Sequence, residues 1–215
     1  MLQALAMVEE WRASFAPAAN ATAMWVKSVV ARSDVEAIQI RSRYKRLPSL
    51  LRKIDRMQRT RVPQIEDVAG CRVVVPDLAH LRSLQQLLRA SRVRNVEFPK
   101  ELDDDYTDLP QGDGYRAVHM HILRTVRGQG PWRVEIQLRT ARQHQWAEFV
   151  EEFDRVFGYD LKHGDAPHEV KLFFTIYSDV VRRRDMGLDD GSQQAVLQAS
   201  FDEMMAWLTA SERGA

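Results

Sequence analysis

Residues 133–140 read RVEIQLRT. Val134, Ile136 and Leu138 alternate with Glu135, Gln137 and Arg139, the period-2 pattern of a β-strand with one face in a core. The second face carries a carboxylate, an amide and a guanidinium in succession. Two readings stay open at this point: a solvated sheet face, or the floor of an active site. Just upstream, YRAVHMHILRTV (115–126) also alternates, so it pairs with 132–138 as a hairpin across RGQGP. Further strands read at VEAIQIR (35–41), CRVVV (71–75) and VRNVEF (93–98). Helices read at 2–14 and 20–32, separated at APAAN where Pro17 interrupts the pattern. Pro48 and Ser49 open a basic helix running to about Arg59, and 77–90 carries an apolar stripe of Leu78, Leu81, Leu84, Leu87 and Leu88. Three more helices, at about 140–157, 167–185 and 192–212, finish the chain, the last (with FDEMMAWL) reading as a core-packing element. The expected fold class is α+β: a mixed sheet of about five strands flanked by helices.

Bulk properties bound the function. In 215 residues, 45% are hydrophobic and 28% charged, ordinary for a globular protein with a sizeable core. No run approaches the roughly 18 apolar residues of a membrane span, so no membrane partner is expected. The start, MLQALAMVEEWR, has acidic residues where a secretory signal needs basic ones, so a cytoplasmic location is the expectation. The single Cys71 excludes an internal disulfide and reads as a small core residue in CRVVV.

The net charge of +1 conceals an asymmetry. Residues 41–61 hold Arg41, Arg43, Lys45, Arg46, Arg52, Lys53, Arg56, Arg59 and Arg61 against Asp55 alone. Residues 101–113 hold Glu101, Asp103, Asp104, Asp105, Asp108 and Asp113 with no basic residue. The first reads as an anion-binding surface, the second as a metal-attracting or simply solvated loop. Within the basic segment, Arg43, Lys45, Ser49 and Lys53 form R-x-K-x-x-x-S-x-x-x-K, crossing from a strand end into a helix start, where free N–H groups, a hydroxyl and cations suit a polyphosphate. In IEDVAGCRVVV, Asp67 precedes a buried strand. It reads either as a turn cap or, with a second carboxylate such as Glu135, as a Mg²⁺ ligand. Tyr115, after a Gly/Pro-rich loop, reads as core or as a platform for a base, and His119 lies two pleats along the same strand.

Taken in order, R-x-K-x-x-x-S-x-x-x-K, D-x-x-G-x-R, D-Y-x-x-x-P-x-x-x-G-Y-x-x-x-H and E-I-Q-x-R-T resemble the synthetase domain of RelA/SpoT-type proteins, the alarmone synthetases. The resemblance spans about residues 35–163. It implies a nucleotidyltransferase-like synthetase fold divided as N-terminal helices (1–34), a pyrophosphokinase domain (35–163) and C-terminal helices packed on that domain (164–215). It implies that Arg43, Lys45, Ser49, Lys53 and Arg72 hold ATP and that Asp67 and Glu135 carry Mg²⁺. Tyr115, His119, Gln137 and Arg139 would bind the acceptor. Glu135 would also take the proton from an acceptor ribose 3′-hydroxyl as that oxygen attacks the β-phosphorus of ATP, so that pyrophosphate moves and AMP leaves. No histidine is followed by Asp, the pair on which the family's hydrolase domain is built, so product hydrolysis is not expected.

The sequence departs from that family at Asp104 and Gln111, where lysines are usual, and at Asp113, where asparagine is. These changes bear on the acceptor and leave the ATP half alone. The favoured expectation is a GDP or GTP acceptor and a (p)ppGpp-like product. A second is the toxin-type reaction on the 3′-end adenosine of tRNA, held by Arg52, Arg56 and Arg59 or by Arg89, Arg92 and Arg94, with a neutralising antitoxin as partner. A pI of 7.9 argues mildly against a large nucleic-acid footprint. A third is an inactive nucleotide-binding module. Small members of the family are often tetramers, so a homo-oligomer is compatible with the resemblance.

Overall fold

Strand β6, Gln129–Thr140 in the computed structural model, is the spine of the sheet. The structure describes residues 2–56, 65, 67–188 and 191–213. The other strands are β1 (Gln39–Tyr44), β2 (Ala69–Val75), β3 (Val96–Glu97), β4 (Asp104–Asp105) and β5 (Val118–Val126). They form one six-stranded sheet in the order β1-β2-β6-β5-β3, with β4 paired to β5. The sixth strand, β4, is only two residues long, too short for an alternating pattern to announce it. Helices α1 (Leu2–Ala13), α2 (Ala16–Val30), α3 (Leu47–Arg56) and α4 (Leu78–Ala90) alternate with the first strands. The helices α5 (Ala141–Phe157), α6 (His168–Asp185) and α7 (Gly191–Arg213) follow β6. The α+β expectation is met.

Three local readings shift. Pro17 does not separate two helices; it sits in the first turn of α2, where its missing N–H costs nothing, and the break shrinks to Ser14 and Phe15. The first strand lies at Gln39–Tyr44 instead of 35–41, because antiparallel pairing with β2 (Ile40 opposite Val73, Arg43 opposite Gly70) sets its limits, not its apolar content. The strand after the acidic loop begins at Val118, so Tyr115 lies outside it. The β5–β6 hairpin turns on Arg127 and Gly128, both with positive φ (50° and 74°), the backbone of a two-residue type I′ turn. The expected end of the basic helix at Arg59 falls outside the described residues.

The chain clusters into two units: Met1–Asp104 with His119–Leu138, and Asp105–Val118 with Arg139–Ala215. In the first, Leu50, Ile65, Val68 and Ala69 bury against Phe15 and Ala19, with Trp11 and Tyr44 at the margin. The apolar stripe of α4 enters this unit through Leu81, Leu84 and Leu88, all buried, each worth about 2 kcal/mol before entropy. Asp77 caps α4 by accepting the His80 N–H at 2.9 Å. In the second unit, Trp146, Phe153, Phe173 and Phe174 build an aromatic core that takes in Met204 and Leu208 of α7. The Trp146 indole N–H donates to the Phe174 carbonyl at 3.0 Å, so its one polar atom is satisfied inside that core. A capping box between Thr140 and Gln143 starts α5, and Gly158 in the left-handed region ends it.

Candidate active site

Every residue from Val134 to Thr140 is buried, Glu135 at 6% exposure. The polar face of β6 is therefore not a solvated one. Burying a carboxylate is costly unless charge and hydrogen bonds compensate, and the first unit supplies both. Gln137, two residues along β6, donates its amide N–H to Glu135 Oε1 at 2.6 Å. His119 Nδ1 on β5 lies 3.4 Å from Glu135 Oε2. From β1 comes the positive charge of Arg43. Desolvation is the largest influence on Glu135 and would raise its pKa. The His119 hydrogen bond and charge, the Arg43 charge and the Gln137 amide together reverse the sign, and the pKa ends below the usual carboxylate range. Glu135 is thus an ionised acceptor through the neutral range.

A glycine makes this juxtaposition possible. Gly70 on β2 stands opposite Arg43 on β1, and a Cβ added to it would lie 2.2 Å from the Glu135 carbonyl oxygen. Any side chain there would force β2 and β6 apart at the level of the catalytic candidate. The glycine of D-x-x-G-x-R is therefore needed for spacing, three residues after the motif's aspartate.

That aspartate is held by two lysines. Lys45 Nζ lies 2.5 Å from Asp67 Oδ2 and Lys53 Nζ 2.7 Å from Oδ1. Burial pushes the Asp67 pKa up, the two ammonium groups pull it down further, and the net direction is down. Lys45 is placed by its backbone N–H, which donates to the Val68 carbonyl at 2.9 Å; Lys53 comes from α3. Ser49 lies on the same helix, with its side chain outside the described residues. Arg72 sits on β2 opposite Arg41 of β1.

In the second unit Tyr115 is held by a closed turn. Gln111 N donates to Tyr115 O at 3.0 Å, Gly114 N to Gln111 O at 2.8 Å, and Tyr115 N to Asp113 Oδ1 at 3.0 Å. Gly114 takes a φ of 91°, and a Cβ there would also press on Trp146 at 3.0 Å and on Ser178 at 3.2 Å. Arg139 donates to the Tyr115 hydroxyl at 3.0 Å, with its guanidinium carbon 4.8 Å from the ring centroid. Arg139 thus aligns the tyrosine, and Gln137 bonds to the Glu135 carboxylate.

Two residues that sequence reasoning missed hold this loop in place. Arg116 is buried; its Nε donates to Ser178 O and Oγ (3.0 and 2.8 Å) and its Nη1 to the Thr107 and Asp108 carbonyls (2.9 and 2.8 Å). Ser178 of α6 in turn donates to the Gly114 carbonyl at 2.5 Å. Neither has a sequence signal: an arginine after a loop and a serine in a helix are common. Their partners are backbone carbonyls distant in the chain.

The acidic loop is largely exposed, Glu101, Asp105 and Asp108 included, but most of its carboxylates are paired one by one. Asp103 is closed by Arg89 and by Gln85 Nε2 (2.7 Å), and Asp104 by His121 Nε2 (2.7 Å) and Lys100 (3.3 Å). Asp105 accepts from Thr107 N and Oγ1, and Asp108 pairs with Arg182 at 3.0 Å. Among the described residues no group of three or more His, Cys, Asp or Glu side chains converges as a metal site. A divalent ion leaning on Asp67 or Glu135 would need ligand oxygens to complete its shell, the habit of Mg²⁺ bound with a nucleotide, and both carboxylates are ionised as such a ligand must be. No described helix is long and apolar enough to cross a membrane.

The sequence and the fold each resemble known proteins. Residues 42–154 match the region found in RelA / SpoT proteins. A GTP pyrophosphokinase of Haemophilus influenzae is 29% identical over 120 residues, 54% of this chain but only 14% of that protein. A GTP pyrophosphokinase of Bacillus subtilis is 26% identical over 151 residues, covering 68% of this chain and 67% of the relative. The fold matches the crystal structure of small alarmone synthetase 1 of Bacillus subtilis bound to its product pppGpp. The TM-score is 0.68 at 21% identity, over 83% of this chain and 94% of that one.

Proposed function

The chain belongs to the RelA/SpoT family, and from that premise we propose that it is an ATP-dependent pyrophosphokinase acting on the 3′-hydroxyl of a GDP- or GTP-type nucleotide. The single observation that carries the reading is Glu135: a buried, ionised carboxylate braced by Gln137, His119 and Arg43 on a strand shared with the family's E-I-Q-x-R-T. The names of the relatives, GTP pyrophosphokinase and small alarmone synthetase, point to the same acceptor class.

Arg43, Lys45, Ser49, Lys53 and Arg72 are assigned to ATP. In the free protein Lys45 and Lys53 are held on Asp67, so incoming phosphates draw the ammonium groups off and leave the Asp67 carboxylate for the metal that accompanies them. Mg²⁺, when bound with ATP, supplies charge neutralisation on the phosphate oxygens. Tyr115, aligned by Arg139, is assigned to the acceptor base, and His119 and Gln137, both on Glu135, are assigned to the acceptor as well. Glu135 accepts the proton of the ribose 3′-hydroxyl. The 3′-oxygen forms its bond to the β-phosphorus, the bond from that phosphorus to the α,β-bridging oxygen breaks, and AMP departs with the bridging oxygen. A lowered pKa makes Glu135 a weak base, which a loose phosphoryl-type transition state tolerates because alignment and charge neutralisation carry most of the work.

The test is incubation with γ-labelled ATP and Mg²⁺ plus GDP, GTP, ATP or deacylated tRNA in separate reactions. Label appearing in a guanosine nucleotide supports the proposal. Label in tRNA alone replaces the acceptor with the toxin-type one, and ATP binding without AMP release from any mixture makes the chain an inactive nucleotide-binding module.

A further inference from the structure

The second unit contains a cavity of about 400 Å³ between the turn at residues 111–113, the 3-10 turn Leu161–His163 and the first half of α6. Its polar lining is Gln111, Asp113, Lys162, His163, Lys171 and Thr175. Half of these side chains are already engaged. Asp113 Oδ1 accepts the Tyr115 N–H, His163 Nδ1 is 2.6 Å from Asp160 Oδ1, and the Thr175 hydroxyl donates to the Lys171 carbonyl at 2.8 Å. Neither the Lys162 nor the Lys171 ammonium has a hydrogen-bond or ion-pair partner among the described residues. Two uncommitted cations on one concavity repel each other and together favour an anion.

We infer that this cavity seats the 5′-polyphosphate of the acceptor nucleotide, with Lys162 and Lys171 as its counter-ions; the inference rests on the pyrophosphokinase reading. Three observations support it. Gln111 and Asp113 of the cavity wall belong to the same closed turn as Tyr115, so the cavity adjoins the segment that carries the residue assigned to the acceptor base. Residues 101–113 contain no basic side chain, so acceptor phosphates must find their cations outside that loop. The volume falls within the range of about 300–1,000 Å³ typical of small-molecule sites, whereas an RNA strand follows an extended basic groove.

The experiment compares the wild type, Lys162→Ala/Lys171→Ala and Lys162→Arg/Lys171→Arg, with folding of each checked by circular dichroism. Transfer to GTP and to guanosine is measured alongside equilibrium binding of GTP in the absence of ATP. The expected result is a KM for GTP about tenfold higher in the alanine pair, with the KM for ATP and transfer to guanosine unmoved, and recovery in the arginine pair. An unchanged KM for GTP overturns the inference, as does an equal loss with guanosine. If the wild type transfers to no free nucleotide, the pyrophosphokinase reading on a nucleotide acceptor fails by itself. The binding arm then decides the subsite: GTP affinity lost only in the alanine pair retains it, and equal or absent binding removes it.

Discussion

The basic segment around residues 41–56 and the acidic loop at 101–113 are the two charge extremes of the chain, and the fold treats them in opposite ways. Cations of the first converge: Lys45 and Lys53 meet on Asp67, and Arg43 acts on Glu135. Aspartates of the second are separated and paired singly, Arg89 with Asp103, His121 with Asp104 and Arg182 with Asp108. Charge density in a sequence does not mark a site. Convergence of several charges on one buried group does, because such a group is expensive to keep unless it is used.

This contrast can be broken at four points. Substitution in the convergent region should cost chemistry. Glu135→Gln keeps the shape and the Gln137 contact but removes the charge, and pyrophosphate transfer is expected to fall about 10³-fold with the fold intact by circular dichroism. A fully active variant would strip Glu135 of its role. Substitution in the loop should cost stability instead. Arg116→Ala leaves the Thr107 and Asp108 carbonyls and Ser178 without their donor, at about 3 kcal/mol, read from the urea midpoint at unchanged m-value.

Asp67 provides a pH test. Its folded pKa lies below the unfolded value, so its contribution to stability is complete above the unfolded carboxylate range near pH 4. That contribution shrinks as pH falls toward the folded pKa and is gone below it. Asp67→Asn should therefore lose about 1 kcal/mol at pH 7 and show a flatter loss of stability between pH 6 and pH 3 than the wild type. Parallel curves would show that the lysines contribute nothing through this pair. The smallest effect belongs to Asp108→Asn, which breaks one largely exposed pair with Arg182. Less than about 0.5 kcal/mol is expected in denaturant unfolding, and a larger loss would mean that the loop's acids act together after all.

Much of the architecture was legible because it depends on local periodicity. The alternation of 133–140 located β6, and the leucine spacing of 77–90 located α4. Where local signals misled, a distant partner decided. The apolar run 35–41 looked more strand-like than the basic 39–44, yet the ladder with β2 selected the latter. Tyr115 looked like the first residue of a strand, but Asp113, Gln111 and the left-handed Gly114 hold it in a turn, so it shares no pleat with His119. Arg139 follows Glu135 at strand spacing, but its partner is Tyr115, 24 residues earlier in the chain.

The sequence by itself determined the family and the order of the longer elements, since periodicity and motif spacing are properties of neighbouring residues. Only the tertiary structure decided which charges meet. Strand register puts Arg43 opposite Gly70, and the missing side chain at Gly70 lets β2 close on Glu135. Two lysines eight residues apart meet on one aspartate. The same alternation on a solvated sheet face would have left Glu135 an ordinary carboxylate; burial among His119, Gln137 and Arg43 makes it the charged centre of the site.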